Sequence, residues 1–275
     1  MSGQSTIAQY FEAGAARDFE RLAALRDPAW VAEWPQSGER VPSHEADRRI
    51  RETATAHGEG WRLQPILPVA LSGAGDLWVA EARLAGSVPQ SGIGIFELRQ
   101  GKVWRETLFW AEPFDAPPDR AHLAGRLPSP MRSRIVQAAA PEQESRRRGA
   151  YERFYAAVEG LETSQQIQKS YLRAMHDLYT DDAIQEMPQS GEMVVGLPNL
   201  LAVVEGFKDF PGGKIRRIIG TGDLVVVEAR LIYGSTVFWE VVIAQFKGDR
   251  VCRSTEYYMP PFEAADWRRA FVERI

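Results

Sequence analysis

The chain of 275 residues holds one cysteine, Cys252. That excludes an internal disulfide framework and a metal site built from cysteines alone, and it fits a cytoplasmic address. No apolar run approaches the roughly 18 to 20 residues of a membrane span. Met1 to Ser5 is polar and lacks the basic and apolar regions of a signal peptide. Net charge is only −4, so there is no electrostatic case for a nucleic-acid partner. The four histidines, His44, His57, His122 and His176, show no metal-ligand spacing. No glycine-rich loop precedes a lysine, and no Gly-x-Ser-x-Gly occurs. Neither a metal nor another cofactor is expected, and neither a membrane nor a nucleic acid is an expected partner.

What is present is a duplication. Pro-Gln-Ser-Gly-Glu occurs at Pro35 to Glu39 and again at Pro188 to Glu192. Gly75 to Leu84 matches Gly222 to Leu231 at eight of ten positions. Val103, Arg105, Thr107 and Phe114 recur as Val251, Arg253, Thr255 and Phe262. The offset is 153 at the first motif (188 − 35) and 148 at the last strand (253 − 105). A period of about 150 residues means two globular units, whereas periods of roughly 20 to 50 mean solenoids. Each unit is long enough for its own core.

In each copy, two or three helices precede a meander of long strands. Apolar residues at spacings of 3 and 4 predict helix over 6–26, broken near Ala15 to Asp18. A short strand, Trp30 to Trp34, runs into the first motif, and Ser43 caps a helix over 44–57. Strands are predicted at 61–71, 76–86, 92–99 and 102–111. The second copy repeats this, with helices at 150–160, 164–179 and 198–207. Its strands are Ala183 to Met187, 214–220, 223–233, 236–247 and 250–258, with Thr180 to Asp182 as a turn and a closing helix over 261–272. The predicted fold class is α+β, with N-terminal helices packed on one face of a strongly curved antiparallel sheet. The expected domains are 1–115 and 150–275, joined by a linker over 116–149 that holds five prolines.

Tyr179 to Pro188 and Glu256 to Phe262 resemble the SnoaL-like branch of the nuclear-transport-factor-2-like superfamily. The resemblance covers most of both copies and is stronger in the second. It implies a cone-shaped domain with an apolar pocket at its open end. It also implies pairing of such domains through their sheets, here within one molecule as an intramolecular pseudo-dimer, with further homo-oligomers also open. Relatives include ketosteroid isomerase, polyketide cyclases, scytalone dehydratase and limonene epoxide hydrolase. Fold resemblance does not fix the reaction, which depends on the pocket residues. At the position of the isomerase's general base this chain has Trp34 and Met187, neither of which takes a proton. The isomerase's oxyanion-hole tyrosine aligns with Tyr10, and its nearest counterpart in copy two is Tyr155. At the second oxyanion-hole acid stands the apolar Val242.

Side chains alternate along a strand, so inward positions propagate two at a time. Val242 places Glu240 inward, and Ser254, Glu256 and Tyr258 share the inward face of the last strand. Glu240 and Glu256 are the candidate acid–base pair, since burial and mutual repulsion raise at least one of two such carboxyls. Copy one offers Glu106 and Trp110 on its last strand, with Leu108 between them. Counting two beyond Trp34 and Met187 places Gln36 and Gln189 inward, where their amides would orient a carbonyl or a water. The other reading of the motif is a turn whose glutamine satisfies backbone groups. Glu240 and Glu256 have their own alternative, a structural ion pair with Arg230 or Arg253. Trp34, Trp110, Met187 and Tyr258 are equally readable as core lining. The expected function is a cofactor-free lyase, isomerase or polyketide-cyclase-like enzyme acting on a small or medium apolar metabolite. A non-catalytic binding or pairing module and an epoxide hydrolase or epoxide-opening cyclase stand as alternatives.

Overall fold

The computed structural model describes residues 2–59, 70–84, 90–128, 133–136 and 138–275. In chain order the elements are α1 (Gly3–Ala15), α2 (Phe19–Leu25), β1 (Arg26–Trp34), β2 (Glu39–Val41) and α3 (His44–Thr53). Then come β3 (Ala70–Ala74), β4 (Leu77–Leu84), β5 (Gln90–Arg99), β6 (Lys102–Ala111), β7 (Ala124–Arg126) and β8 (Arg134–Ile135). After these follow α4 (Pro141–Ala156), α5 (Ser164–Leu178), β9 (Tyr179–Met187), β10 (Glu192–Val195) and α6 (Leu197–Glu205). The last are β11 (Gly212–Thr221), β12 (Leu224–Tyr233), β13 (Thr236–Lys247), β14 (Arg250–Met259) and β15 (Glu273–Arg274). Most of the strand expected at 61–71 lies outside the described residues.

Local chemistry explains the breaks. The Ser2 hydroxyl accepts from Ser5 N at 3.3 Å to start α1. Arg17 takes a left-handed φ of 54°, which ends α1, and the Asp18 carboxylate caps α2 at Arg21 N, 2.9 Å away. Ser43 caps α3, and Thr163 with Gln166 forms a reciprocal capping box on α5. Such caps satisfy amides that have no partner inside the helix.

One sheet has the order β15-β2-β1-β6-β5-β4-β3-β8 and the other β11-β12-β13-β14-β9-β10-β7. The sheets are mainly antiparallel, as expected, with three parallel pairs among the described strands, β3 with β8 being one. β1 runs parallel to β6 and β9 runs parallel to β14, because the early strand is laid beside the last strand of the meander. Register shifts within these pairs and within β5–β6 and β13–β14 bend the strands and increase their twist. In one unit, Ile7, Tyr10, Leu22 and Ile50 of the helices pack on Trp78, Ala80 and Phe96 of the sheet. In the other, Tyr151, Phe154, Met175 and Leu200 pack on Val227, Ala229, Val242 and Phe246.

The boundaries 1–115, 116–149 and 150–275 do not follow the compact units. Unit 1 comprises Met1–Glu112, Pro130–Val136 and Pro261–Ile275, and unit 2 comprises Pro113–Ser129 and Gln137–Pro260. The expected linker therefore contains β7, β8 and the start of α4. Each unit is finished by a strap that follows the last long strand of the other. The expected closing helix is one such strap, a short 3-10 turn at Asp266–Arg268 and then β15. The strap at 113–127 is built the same way, with a 3-10 turn at Pro118–Arg120 and then β7. Thr180 to Asp182, read as a turn, lies within β9.

The repeated motif is where the straps dock. In unit 1, Phe262 N donates to Gln36 O at 3.1 Å and Ile275 N to Gly38 O at 3.0 Å. In unit 2, Phe114 N donates to Gln189 O at 3.2 Å and Leu127 N to Gly191 O at 2.8 Å. Gly38 and Gly191 take φ of 66° and 71°, a conformation glycine adopts without steric cost. The motif glutamate holds the strap arginine in both units. Arg268 reaches Glu39 through Nε at 3.0 Å and Nη2 at 2.8 Å. Arg120 reaches Glu192 through Nε at 3.0 Å and Nη2 at 2.5 Å. A planar guanidinium fork matches a carboxylate in this way and fixes the approach as well as the charge.

Candidate active site

In unit 2, β12, β13, β14 and β9 present their inner faces to a cavity of about 270 Å³. Its walls are largely apolar, with Met187, Val203, Phe207 and Phe210 among them, and the 113–127 strap contributes Phe114, Pro117 and Arg120. Both predicted carboxylates open into it. Glu240 is paired with Tyr258 across β13–β14, and Val242 with Glu256. The two glutamates are therefore diagonal neighbours on one face, a relation that brings long side chains within reach of each other. They are 5% and 4% exposed.

Their environments differ. Glu256 accepts from Ser254 Oγ at 2.9 Å, from Tyr258 Oη at 2.6 Å and from Gln185 Nε2. Among the described residues, Glu240 accepts only from Tyr155 Oη, at 2.6 Å. Among the described residues no lysine or arginine pairs with either glutamate. Arg253 is held by Glu186, and Arg230 lies over Trp239. Burial, reinforced by the charge of Glu256, pushes Glu240 up to about 8. Burial also raises Glu256, against the three donors that favour its ionised form. Two carboxyls so placed titrate as a pair. Glu240 is the more readily protonated of the two, since hydrogen bonds to the charged form favour Glu256 as the anion. Burial holds the Tyr155 and Tyr258 phenols well above their usual value, so both remain donors.

The remaining candidates fall on both sides of the expectation. Met187 and Tyr258 line the cavity, whereas Ser254 is fully buried behind Glu256 and acts on it. Gln36 and Gln189 do not line either cavity, and the inward reading is corrected. Gln189 Nε2 donates to Tyr258 O at 2.9 Å while its Oε1 accepts from Tyr258 N at 2.6 Å. Gln36 does the same to Trp110, at 3.1 and 2.6 Å. Alternation fails there because both glutamines lie in the turn, past the ends of β1 and β9. Each glutamine instead replaces a missing ladder partner of the last strand. The Tyr10–Tyr155 equivalence is corrected too. α1 aligns with α4 at an offset of 141 (151 − 10), so Tyr151 takes the place of Tyr10, beside Tyr179, as Tyr10 stands beside Arg26. Tyr155 corresponds to Gly14.

Gln185 and Arg120 were not foreseen. Counting back two from Met187 along β9 finds Gln185, and Arg120 recurs as Arg268 at the offset of 148 (268 − 120).

Unit 1 has a cavity of about 100 Å³ in the matching place, lined by Tyr10, Arg51, Glu106 and Trp110 among others. Trp34 packs edge-on against Trp110 with ring centroids 5.5 Å apart and is not part of that lining. Tyr10 Oη donates to Glu106 at 2.7 Å and accepts from Arg26 Nε at 2.7 Å. Gly92 stands at the Glu240 position (240 − 148) and Leu108 at the Glu256 position (256 − 148). The acid pair is therefore confined to unit 2. Among the described residues, no group of three or more His, Cys, Asp or Glu side chains is placed to hold a metal ion. No helix there is long and apolar enough to cross a membrane.

No family model matches the chain, and no curated protein matches it. Solved structures do. An NTF-2-like protein of unknown function from Burkholderia xenovorans is 34% identical, covering 48% of this chain and 98% of its own, at a TM-score of 0.43. A provisionally assigned ketosteroid isomerase from Kribbella flavida is 18% identical over 48% of this chain and 92% of its own, at a TM-score of 0.40. An epoxide hydrolase from M. tuberculosis, described as LEH-like, is 20% identical over 43% of this chain and 85% of its own, at a TM-score of 0.34. Each match spans about half of the present chain.

Proposed function

The chain belongs to the nuclear-transport-factor-2-like family, and on that premise we propose that unit 2 is a general acid–base enzyme for a small or medium apolar metabolite. The reaction is of the isomerase, lyase or cyclase kind, run without a redox cofactor. One observation carries this reading: two buried carboxyls of unequal environment open into one largely apolar cavity, and among the described residues no lysine or arginine is paired with either, Arg120 being held by Glu192. Such an arrangement separates acid from base near neutral pH.

In this reading Glu256 is the base. Its carboxylate takes a proton from carbon next to a carbonyl, while Glu240, protonated, gives its proton to the carbonyl oxygen. The product is an enol, and the site ends with the proton moved from Glu240 to Glu256. Where the enol is conjugated, Glu256 returns its proton to a different carbon while the enol proton goes back to Glu240, which completes an isomerisation. Where a β-hydroxyl is present, Glu256 protonates it, it leaves as water and the enol proton goes back to Glu240, which completes a dehydration. Tyr155 and Tyr258 steady the two carboxyls, Gln185 holds Glu256 in place, and Met187 is wall.

A second reading, a non-catalytic ligand pocket, draws on the three donors that already surround Glu256. One experiment separates the two. A panel of cyclic and aryl ketones is incubated with the protein in D₂O, and deuterium uptake next to the carbonyl is followed by mass spectrometry. The acid–base reading expects uptake that Glu256→Gln removes and that Glu240→Gln slows by at least about 100-fold. Ketones that bind without exchanging, or exchange that survives Glu256→Gln, give the site to the binding reading.

A further inference from the structure

The cavity of unit 1 has a chemistry of its own. α3 of unit 1 corresponds to α6 of unit 2 at an offset of 153 (197 − 44), so Arg51 stands where unit 2 has Val204. Both residues line their cavities. The duplication has thus left a pair of carboxyls in one pocket and Arg51 beside a single carboxyl, Glu106, in the other.

Arg51 is anchored at one edge only. Its Nε donates to Asp47 Oδ1 and Oδ2, both at 2.9 Å. Among the described residues, no acceptor takes a hydrogen bond from its two Nη atoms. Asp47 is shared, since Arg26 Nη2 lies 2.8 Å from its Oδ2. Two guanidinium groups therefore face one aspartate. The remaining carboxyl, Glu106, accepts from Tyr10 Oη and lies 3.9 Å from Arg26 Nη2, so its partners are Tyr10 and Arg26 and not the Nη edge of Arg51. The opposite walls are Phe11, Leu22, Leu84, Ile93 and Leu108.

We propose that the unit 1 cavity binds a small apolar carboxylate, its ring or chain against Phe11 and Leu108 and its carboxylate on the free edge of the Arg51 guanidinium. A guanidinium fork accepts a carboxylate by two parallel hydrogen bonds, and the apolar walls receive the rest of the ligand. The site does not depend on chemistry in unit 2.

The test uses the full chain and two probes of one shape, benzoate and benzamide, titrated calorimetrically at neutral pH. Benzoate is expected to bind at least about tenfold more tightly than benzamide, about 1.4 kcal/mol by the usual conversion. Arg51→Met is expected to abolish that preference while benzamide affinity stays within about twofold. Gly14→Leu, which adds a side chain to the cavity wall on α1, is expected to remove binding of both probes. A crystal soaked with benzoate reads the wild-type site directly, so a poorly folding variant does not decide the matter. Equal affinity for the two probes, an unchanged preference in Arg51→Met, or benzoate located away from Arg51 overturns the proposal.

Discussion

The raised carboxyl of Glu240 is testable without a substrate, through Glu240→Gln and the pH dependence of stability. The unfolded chain titrates Glu240 near 4.5, and the folded chain holds it protonated up to about 8. Between those values the folded state binds one more proton than the unfolded state. Stability then falls as pH rises, by about 1.4 kcal/mol per pH unit for a single group. The contribution is fully present below about pH 4.5, is lost progressively through the window, and is gone above about pH 8. Across the whole window the swing is on the order of 4–5 kcal/mol. Glutamine keeps the shape and carries no proton to lose, so the variant should show a much flatter profile. It should also be the more stable protein at pH 8.5. Hydrogen exchange followed by mass spectrometry on peptides from β13 and β14, corrected for intrinsic rates, reads opening of unit 2 alone. Peptides from β4 and β5 serve as an internal control that should not respond. Parallel profiles for wild type and variant from pH 5 to 9 would refute the assignment of a neutral carboxyl at Glu240, and with it the acid of the proposed reaction.

Three further outcomes follow from the geometry. Tyr155→Phe removes the hydrogen bond that Glu240 accepts, so the midpoint of the same pH swing should move upward; an unmoved midpoint means that bond does not act on the carboxyl. Arg268→Ala leaves Glu39 fully buried without its guanidinium and should cost unit 1 about 3–5 kcal/mol in denaturant unfolding. Arg120→Ala should cost less, because its pair with Glu192 is more exposed. Gln189→Ala strips two hydrogen bonds from Tyr258 and should cost about 1–3 kcal/mol. Because Gln189 is outside the cavity, ligands that bind Gln189→Ala should do so without a change in chemical preference.

Strand alternation made the heart of the site legible. The family resemblance put Val242 at an inward position of β13, alternation then placed Glu240 inward, and Glu256 followed from its own strand. The same counting in β9 reaches Gln185, which accompanies Met187. Counting failed at Gln36 and Gln189 because a turn has no two-residue period. The tyrosine equivalence failed because the two copies differ in length between their first two helices, and only the neighbours of Tyr151 in space establish its register. The straps were the least legible feature. Pro117 and Pro118 gave the first one the look of a linker. Only Pro113, Phe114, Ala116, Arg120 and Arg126 recur in the second, as Pro261, Phe262, Ala264, Arg268 and Arg274. Arg268 and Arg120 gain their meaning from glutamates far along the chain, a relation that no local pattern carries.

That separation bears on how the protein is made. Arg268 lies 229 positions after Glu39, a delay of roughly 10–50 s at ordinary rates of synthesis. Through that interval the nascent first unit has an unmatched glutamate and an uncovered β2 edge, which invites pairing with other chains. In the second unit the order is reversed, for Arg120 is already present when Glu192 emerges. The second repeat therefore has all its parts while the ribosome is still adding the residues that finish the first. Emergence of residues 261–275, more than any earlier step, sets the moment at which unit 1 becomes complete.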